Sequence, residues 1–161
     1  MRHMIVLSLA VILLPALSGC ERYALDRQME ELCKKDGGLR VYEQVTLPVR
    51  YFTASGGLTL GPLMAQSSDT DFQRVGEDDY RILTQRTYLV GNRMTNLQSG
   101  NGVLTRTKVT VVRWGDKFLM GEQIWYARGG GDGFTFGFQP SGKSCPFFAH
   151  DLAQLVFVKG N

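Results

Sequence analysis

The plainest chemical pattern in the chain is Gly137, Phe138, Gln139, Pro140, Ser141, Gly142, Lys143 and Ser144, which spells a phosphate loop: glycine, four residues, then Gly-Lys-Ser. Such a loop grips phosphate only where a buried strand feeds it and a helix starts at the lysine, so that backbone amides converge on the anion. Pro140 inside the loop, Cys145 and Pro146 directly after it, and a tail too short for a sheet bearing a magnesium-binding aspartate all argue against nucleotide. His150 with Asp151 and either Ser141 or Ser144 would supply an acyl-transfer triad, and with Cys145 a thiol hydrolase pair. Adjacent His and Asp do not set a carboxylate behind an imidazole, no nucleophile elbow is present, and the thiol route needs a reduced cysteine. A calcium loop from Asp69 would carry Gln73 and Arg74 where an oxygen ligand and glycine belong, and Tyr80 where the bidentate Glu belongs. No catalytic residue, metal site or cofactor is therefore expected. One candidate binding loop remains: Arg128, Gly129, Gly130, Gly131 and Asp132, with Trp125 nearby. Consecutive glycines can form an anion-holding nest, and the alternative is a plain hairpin end.

The N-terminus sets the conditions for all of these. Arg2 and His3 form a basic head, Met4 to Leu14 is largely apolar, Pro15 breaks the run, and Leu17, Ser18, Gly19 and Cys20 match a bacterial lipobox. The apolar run is shorter than the roughly 20 residues that span a bilayer. Residues 1–19 are thus expected to be a lipoprotein signal peptide and residues 20–161 a single lipid-anchored periplasmic domain, with Cys20 taking a diacylglycerol as thioether. An ordinary cleaved signal with a chance cysteine is the alternative. Glu21, rather than Asp, follows Cys20, which points to the outer membrane, on its periplasmic face, with the inner membrane the lesser choice. Export removes ATP from the surroundings, and cleavage removes His3, leaving His150 as the one histidine. Lipidation leaves Cys33 and Cys145 as an even pair in an oxidising compartment. A bridge between them would add about 4 to 5 kcal/mol by chain entropy, and two free buried thiols are the alternative. The formal net charge of +3 is too slight to imply nucleic acid.

The elements that would carry these groups can be read from periodicity. Leu25, Met29, Leu32 and Cys33 recur at helical spacing within Glu21–Lys35, and Gly37 and Gly38 stop the helix. Leu39–Leu47 alternates as one strand ended by Pro48. Arg50–Ser68 reads as loop with a weak strand near Leu58–Gln66, and Asp69, Asp71, Glu77, Asp78 and Asp79 as an acidic surface loop. Tyr80–Val90 is a strand by composition, and Val103–Trp114 with Phe118–Arg128 forms a hairpin across Gly115, Asp116 and Lys117. Gly129 to Gly133 is expected to be a flexible turn, Phe134, Phe136 and Phe138 alternate beyond it, and Ala149–Val158 fits helix or strand equally. The expected fold is α+β: an N-terminal helix, bridged to the C-terminal region, packed on an antiparallel sheet of about four to six strands.

Cys33, Lys34, Lys35, Asp36, Gly37 and Gly38 running into Val41, Tyr42 and Glu43, then Tyr126, Arg128, Gly130, Gly131 and Asp132, then Ser144, Cys145 and Pro146, resemble a group of small uncharacterised lipoproteins of Gram-negative bacteria. The resemblance covers most of the mature chain and implies no activity, cofactor or catalytic residue. Both cysteines fall within its motifs, in keeping with a bridge, and three glycines after Arg128 stand where two are expected. The leading expectation is a non-enzymatic binding or structural module facing the periplasm. Its partners would be the membrane, through the lipid, and an envelope protein or small ligand, met through a sheet face or the Arg128–Asp132 loop. The other readings are a prophage- or mobile-element-borne exclusion lipoprotein and a periplasmic hydrolase using His150.

Overall fold

The computed structural model describes residues 20–77, 79–95, 97, 100–132 and 140–160. Helix α1 spans Cys20–Asp36. There follow β1 (Gly38–Val41), β2 (Val45–Leu47), a 3-10 turn at Val49–Tyr51, β3 (Met64–Ser67), β4 (Thr70–Val75), β5 (Tyr80–Val90), β6 (Gly102–Arg113), β7 (Phe118–Gly130), β8 (Gly142–Cys145), helix α2 (Leu152–Val156) and β9 (Phe157–Lys159). The main sheet has seven strands in the order β1-β7-β6-β5-β4-β3, with β8 also paired to β7, and β2 and β9 form a separate parallel pair. The architecture is α+β with more strands than the expected four to six. The additional strands come from segments whose polar side chains hide their periodicity.

Three sequence expectations change. Leu39–Leu47 is two strands in two different sheets, because the amides of Tyr42 and Glu43 both donate to the Met120 carbonyl, at 2.8 and 3.0 Å, which ends the ladder. Within the expected acidic loop, Thr70–Val75 is strand β4, with Asp71 paired to Thr84 across the ladder, while Asp69, Glu77 and Asp79 stand in turns; Asp78 lies outside the described residues. Gly129 and Gly130 extend β7 rather than turning, and Gly129 pairs with Gly142 of β8. The tail is both predicted things in succession, a short helix and then a strand.

The chain clusters into two compact units. One takes residues up to Lys35 with Tyr88–Thr105 and Tyr126–Cys145; the other takes Asp36–Thr87, Arg106–Trp125 and Pro146–Asn161. In the first, the α1 face predicted from spacing turns inward. Leu25 and Met29 are buried, as are Leu104 and Tyr126, while Leu32 and Cys33 are half-buried. In the second, Leu47, Val75, Ile82, Val111, Met120, Leu152, Val156 and Phe157 make one apolar core, with Tyr80 edge-on to Phe157 at 5.2 Å. Helix α2 has five residues, too few to be stable alone. Packing and one side chain hold it: the Leu152 amide donates to Gln123 Oε1 at 3.1 Å.

Candidate functional site

In the first unit the candidate loop is a closed polar network. Alternation along β7 buries Ile124, Tyr126 and Arg128, so the arginine side chain, 1% exposed, arrives in the interior charged and must find partners. Arg128 Nε donates to Asp26 Oδ1 of α1 at 2.6 Å. Its Nη1 donates to the Gly130 carbonyl at 2.6 Å, the Ser141 carbonyl at 3.1 Å and Ser141 Oγ at 2.9 Å. Ser141 Oγ and the Ser141 amide both donate to the Asp132 carboxylate at 2.7 Å, and Arg22 reaches Asp132 Oδ1 at 3.1 Å. Burial raises the Asp132 pKa, but the two Ser141 hydrogen bonds and the charges of Arg22 and Arg128 outweigh it and hold the carboxyl below its ordinary range.

The loop residues are thus brought together, but their donors point at one another. Sequence reasoning missed Asp26, Arg22 and Ser141 as members of this network. The signal that could have found Asp26 is its position beside the Leu25 and Met29 face of α1, where an arginine facing inward from β7 needs a carboxylate. Trp125, on the opposite face of β7 from Arg128, is half-buried. Gly130 and Gly131 have φ of +71° and +80°, in the region that glycine favours, and a Cβ on Gly130 would stand 2.5 Å from the Asn101 carbonyl oxygen. Gly130→Ala is accordingly expected to cost at least 2 kcal/mol, roughly a positive-φ penalty plus a backbone shift, read as a lowered midpoint in urea.

Cys33 of α1 and Cys145 of β8 form a disulfide, with Cα atoms 6.1 Å apart. Of the phosphate-loop pattern, Gly137 to Gln139 lie outside the described residues, as do Phe134 and Phe136. Gly142, Lys143, Ser144 and Cys145 form strand β8 where the pattern requires a helix to start, and Lys143 Nζ is engaged at 2.6 Å with Glu30. His150 is exposed. Ser141 Oγ, a proposed nucleophile, is held between Arg128 and Asp132, and a guanidinium is no general base. Among the described residues no group of three or more His, Cys, Asp or Glu is arranged to hold a metal ion.

The second unit presents a different surface. Across β4 and β5 the register pairs Thr70 with Gln85, Phe72 with Leu83 and Arg74 with Arg81. Directly paired residues share a face, and this face is opposite to the one through which Val75 and Ile82 enter the core. Here Thr70, Leu83, Gln85, Lys108 and Thr110 line a groove of about 300 Å³. At its β6 side, Lys108 Nζ meets Glu122 Oε2 at 3.1 Å, and Arg40 and the Tyr42 hydroxyl donate to Glu122 Oε1 at 2.8 and 2.9 Å. Two cations therefore share one carboxylate, leaving one positive charge in excess beside the groove. Although burial raises the Glu122 pKa, the hydrogen bonds from Tyr42, Lys108 and Arg40 outweigh it and lower the pKa overall. Further along, the Arg81 guanidinium lies 3.3 Å from the centre of the Trp114 ring and 5.0 Å from that of Phe72.

The lowered carboxyls of Asp132 and Glu122 fix the direction of the acid response. A depressed folded-state pKa contributes stability above the unfolded value, about 4 for a carboxylic acid, and this is lost as pH falls through the folded value. Unfolding free energy is expected to be flat from neutrality to about pH 5 and to fall below about pH 4. The double variant Asp132→Asn, Glu122→Gln should show a shallower fall in urea titrations across that window. Comparison with protein-family models, with curated proteins and with solved structures finds no match.

Proposed function

We propose that the chain is a lipid-anchored, non-enzymatic module of the Gram-negative envelope, held through Cys20 on the periplasmic face of the outer membrane. The observation that carries the reading is the lipobox Leu17–Cys20, with α1 beginning at Cys20 itself and no linker between. Among the described residues no helix is long and apolar enough to cross a membrane. The Arg128–Asp132 donors are directed inward, which leaves the sheet face opposite the core of the second unit as the favoured binding surface. Its groove beside Lys108 suits a polar or anionic envelope component. The engagement of Ser141 Oγ by Arg128 and Asp132 weighs against hydrolysis.

The test is metabolic labelling with radioactive palmitate. Label is expected in the full chain, and the precursor should accumulate under globomycin; Cys20→Ser should abolish both. An unlabelled wild-type chain would overturn the reading. For the groove, a photo-crosslinking residue at Thr110 should yield an adduct in cells that Lys108→Glu removes and His150→Ala leaves intact. Loss on His150→Ala instead would support the hydrolase.

A further inference from the structure

In the first unit two segments converge on the first turn of α1. Gly102 N donates to Glu21 Oε1 at 3.0 Å, and Arg22 N donates to the Gly131 carbonyl at 3.1 Å. Gly131 N in turn donates to the Asn101 carbonyl at 3.3 Å. The β5–β6 connection is therefore fastened at its Gly102 end beside Cys20. Its other end lies close to Gly102: a Cβ on Gly91, whose φ is +69°, would lie 3.1 Å from the Gly102 carbonyl oxygen. Between them a tight turn is set by the Asn92 side chain, whose Oδ1 accepts the Met94 amide at 2.8 Å, while Thr95 Oγ1 accepts the Asn92 amide at 2.8 Å. This turn holds Met94 outward, 87% exposed, and on α1 Tyr23 is 73% exposed.

Tyr23, three residues along α1 from Cys20, and Met94, in a turn beside the Gly91 and Gly102 segments that reach the first turn of α1, are two large apolar side chains open to water, which is what an interfacial surface requires. A tyrosine ring places an apolar body and a polar hydroxyl at headgroup depth, and an unbranched thioether fits among irregular chains. We propose that this end of the unit is a membrane-docking face, with Tyr23 and Met94 seated among the phospholipid headgroups of the bilayer that receives the Cys20 lipid. The occupant follows from the chain itself: with no residue between Cys20 and α1, acyl chains entering a bilayer bring the first helical turn to its surface. The inference rests on the lipoprotein reading. It adds a protein surface to the anchor and sets α1 with its Cys20 end toward the membrane.

The acylated full-length mature protein is reconstituted into vesicles of phosphatidylethanolamine and phosphatidylglycerol, with and without brominated acyl chains. Met94→Trp, Tyr23→Trp and Lys34→Trp are compared with the parent chain, and acylation of Cys20 is checked by mass spectrometry. Lys34 is about 21 Å along the helix axis from Cys20, at 1.5 Å per residue. The indoles added at positions 23 and 94 are expected to lose about half their emission to brominated lipid, and that at position 34 almost none. Acylated chains whose position 23 and 94 indoles are unquenched would overturn the docking face and leave the anchor standing. Quenching at 34 equal to that at 94 would mean a helix lying flat, and would also overturn it. A chain without acyl mass on Cys20 would overturn the anchor and the face together.

Discussion

Arg128→Met is expected to destabilise the protein by about 3 kcal/mol or more, because removing one member of a buried ion pair leaves the other charged and uncompensated. The guanidinium is almost wholly out of water, while Asp26 retains 17% of its side-chain exposure. The penalty should therefore fall at the low end of the 3 to 5 kcal/mol that breaking such pairs costs. Further losses come from Ser141, whose carbonyl and hydroxyl both accept from Nη1, and from the Gly130 carbonyl. Arg128→Lys should recover little, since one ammonium cannot reach the carboxylate of α1 and the Ser141 carbonyl in the fork geometry that guanidinium provides. Asp26→Leu combined with Arg128→Met should be more stable than the sum of the singles, as both charges are then gone. Urea unfolding of the four chains measures this. A loss under 1 kcal/mol for Arg128→Met would show that Arg128 is not the tie between β7 and α1, and would return it to the candidates for ligand binding.

What the sequence made legible was local. Tyr80–Val90 matches β5 from end to end because it is rich in Thr, Tyr, Ile, Leu and Val, and the β6–β7 hairpin is placed to within a residue or two by its turn. In that turn the left-handed residue is Lys117, with φ of +61°, and not Gly115. The helix was legible because Leu25 and Met29 recur at the spacing of one face. Strand β4 was not, because Asp71, Gln73 and Arg74 are polar on both faces of a strand whose pairing with β5 supplies the order. The break after Val41 was not legible either, since it depends on a carbonyl of Met120, far along the chain. The same holds for the site. Arg128 and Asp132 were visible as a motif, yet the partner that settles Arg128, Asp26, is 102 residues away. Charge alone at a hairpin end reads as a binding loop until the opposite charge is located.

The second large effect is expected on opening the bridge. Cys33 and Cys145 are separated by 112 positions, and for a loop of that size the chain-entropy relation gives about 4 to 5 kcal/mol of stabilisation through the unfolded state. Cys33→Ala with Cys145→Ala should lower unfolding free energy by roughly that amount, and alkylation of the wild-type chain before reduction should modify neither residue. The native-state consequence should be concentrated in β8. This strand has four residues, its side chains from Gly142 to Ser144 are exposed, and beyond its ladder with β7 and the disulfide its nearest tie to α1 is the exposed pair Lys143 and Glu30. An exposed pair of that kind contributes about 0 to 1 kcal/mol, so it cannot replace a covalent link. Hydrogen exchange should therefore quicken first at Lys143 to Cys145 in the cysteine-free chain, while the amides of Val111 and Met120 keep their protection. Uniform quickening would mean the bridge acts only on the unfolded chain, whereas retained protection at β8 with a loss below about 2 kcal/mol would mean that Arg128 and its partners already hold the strand without it.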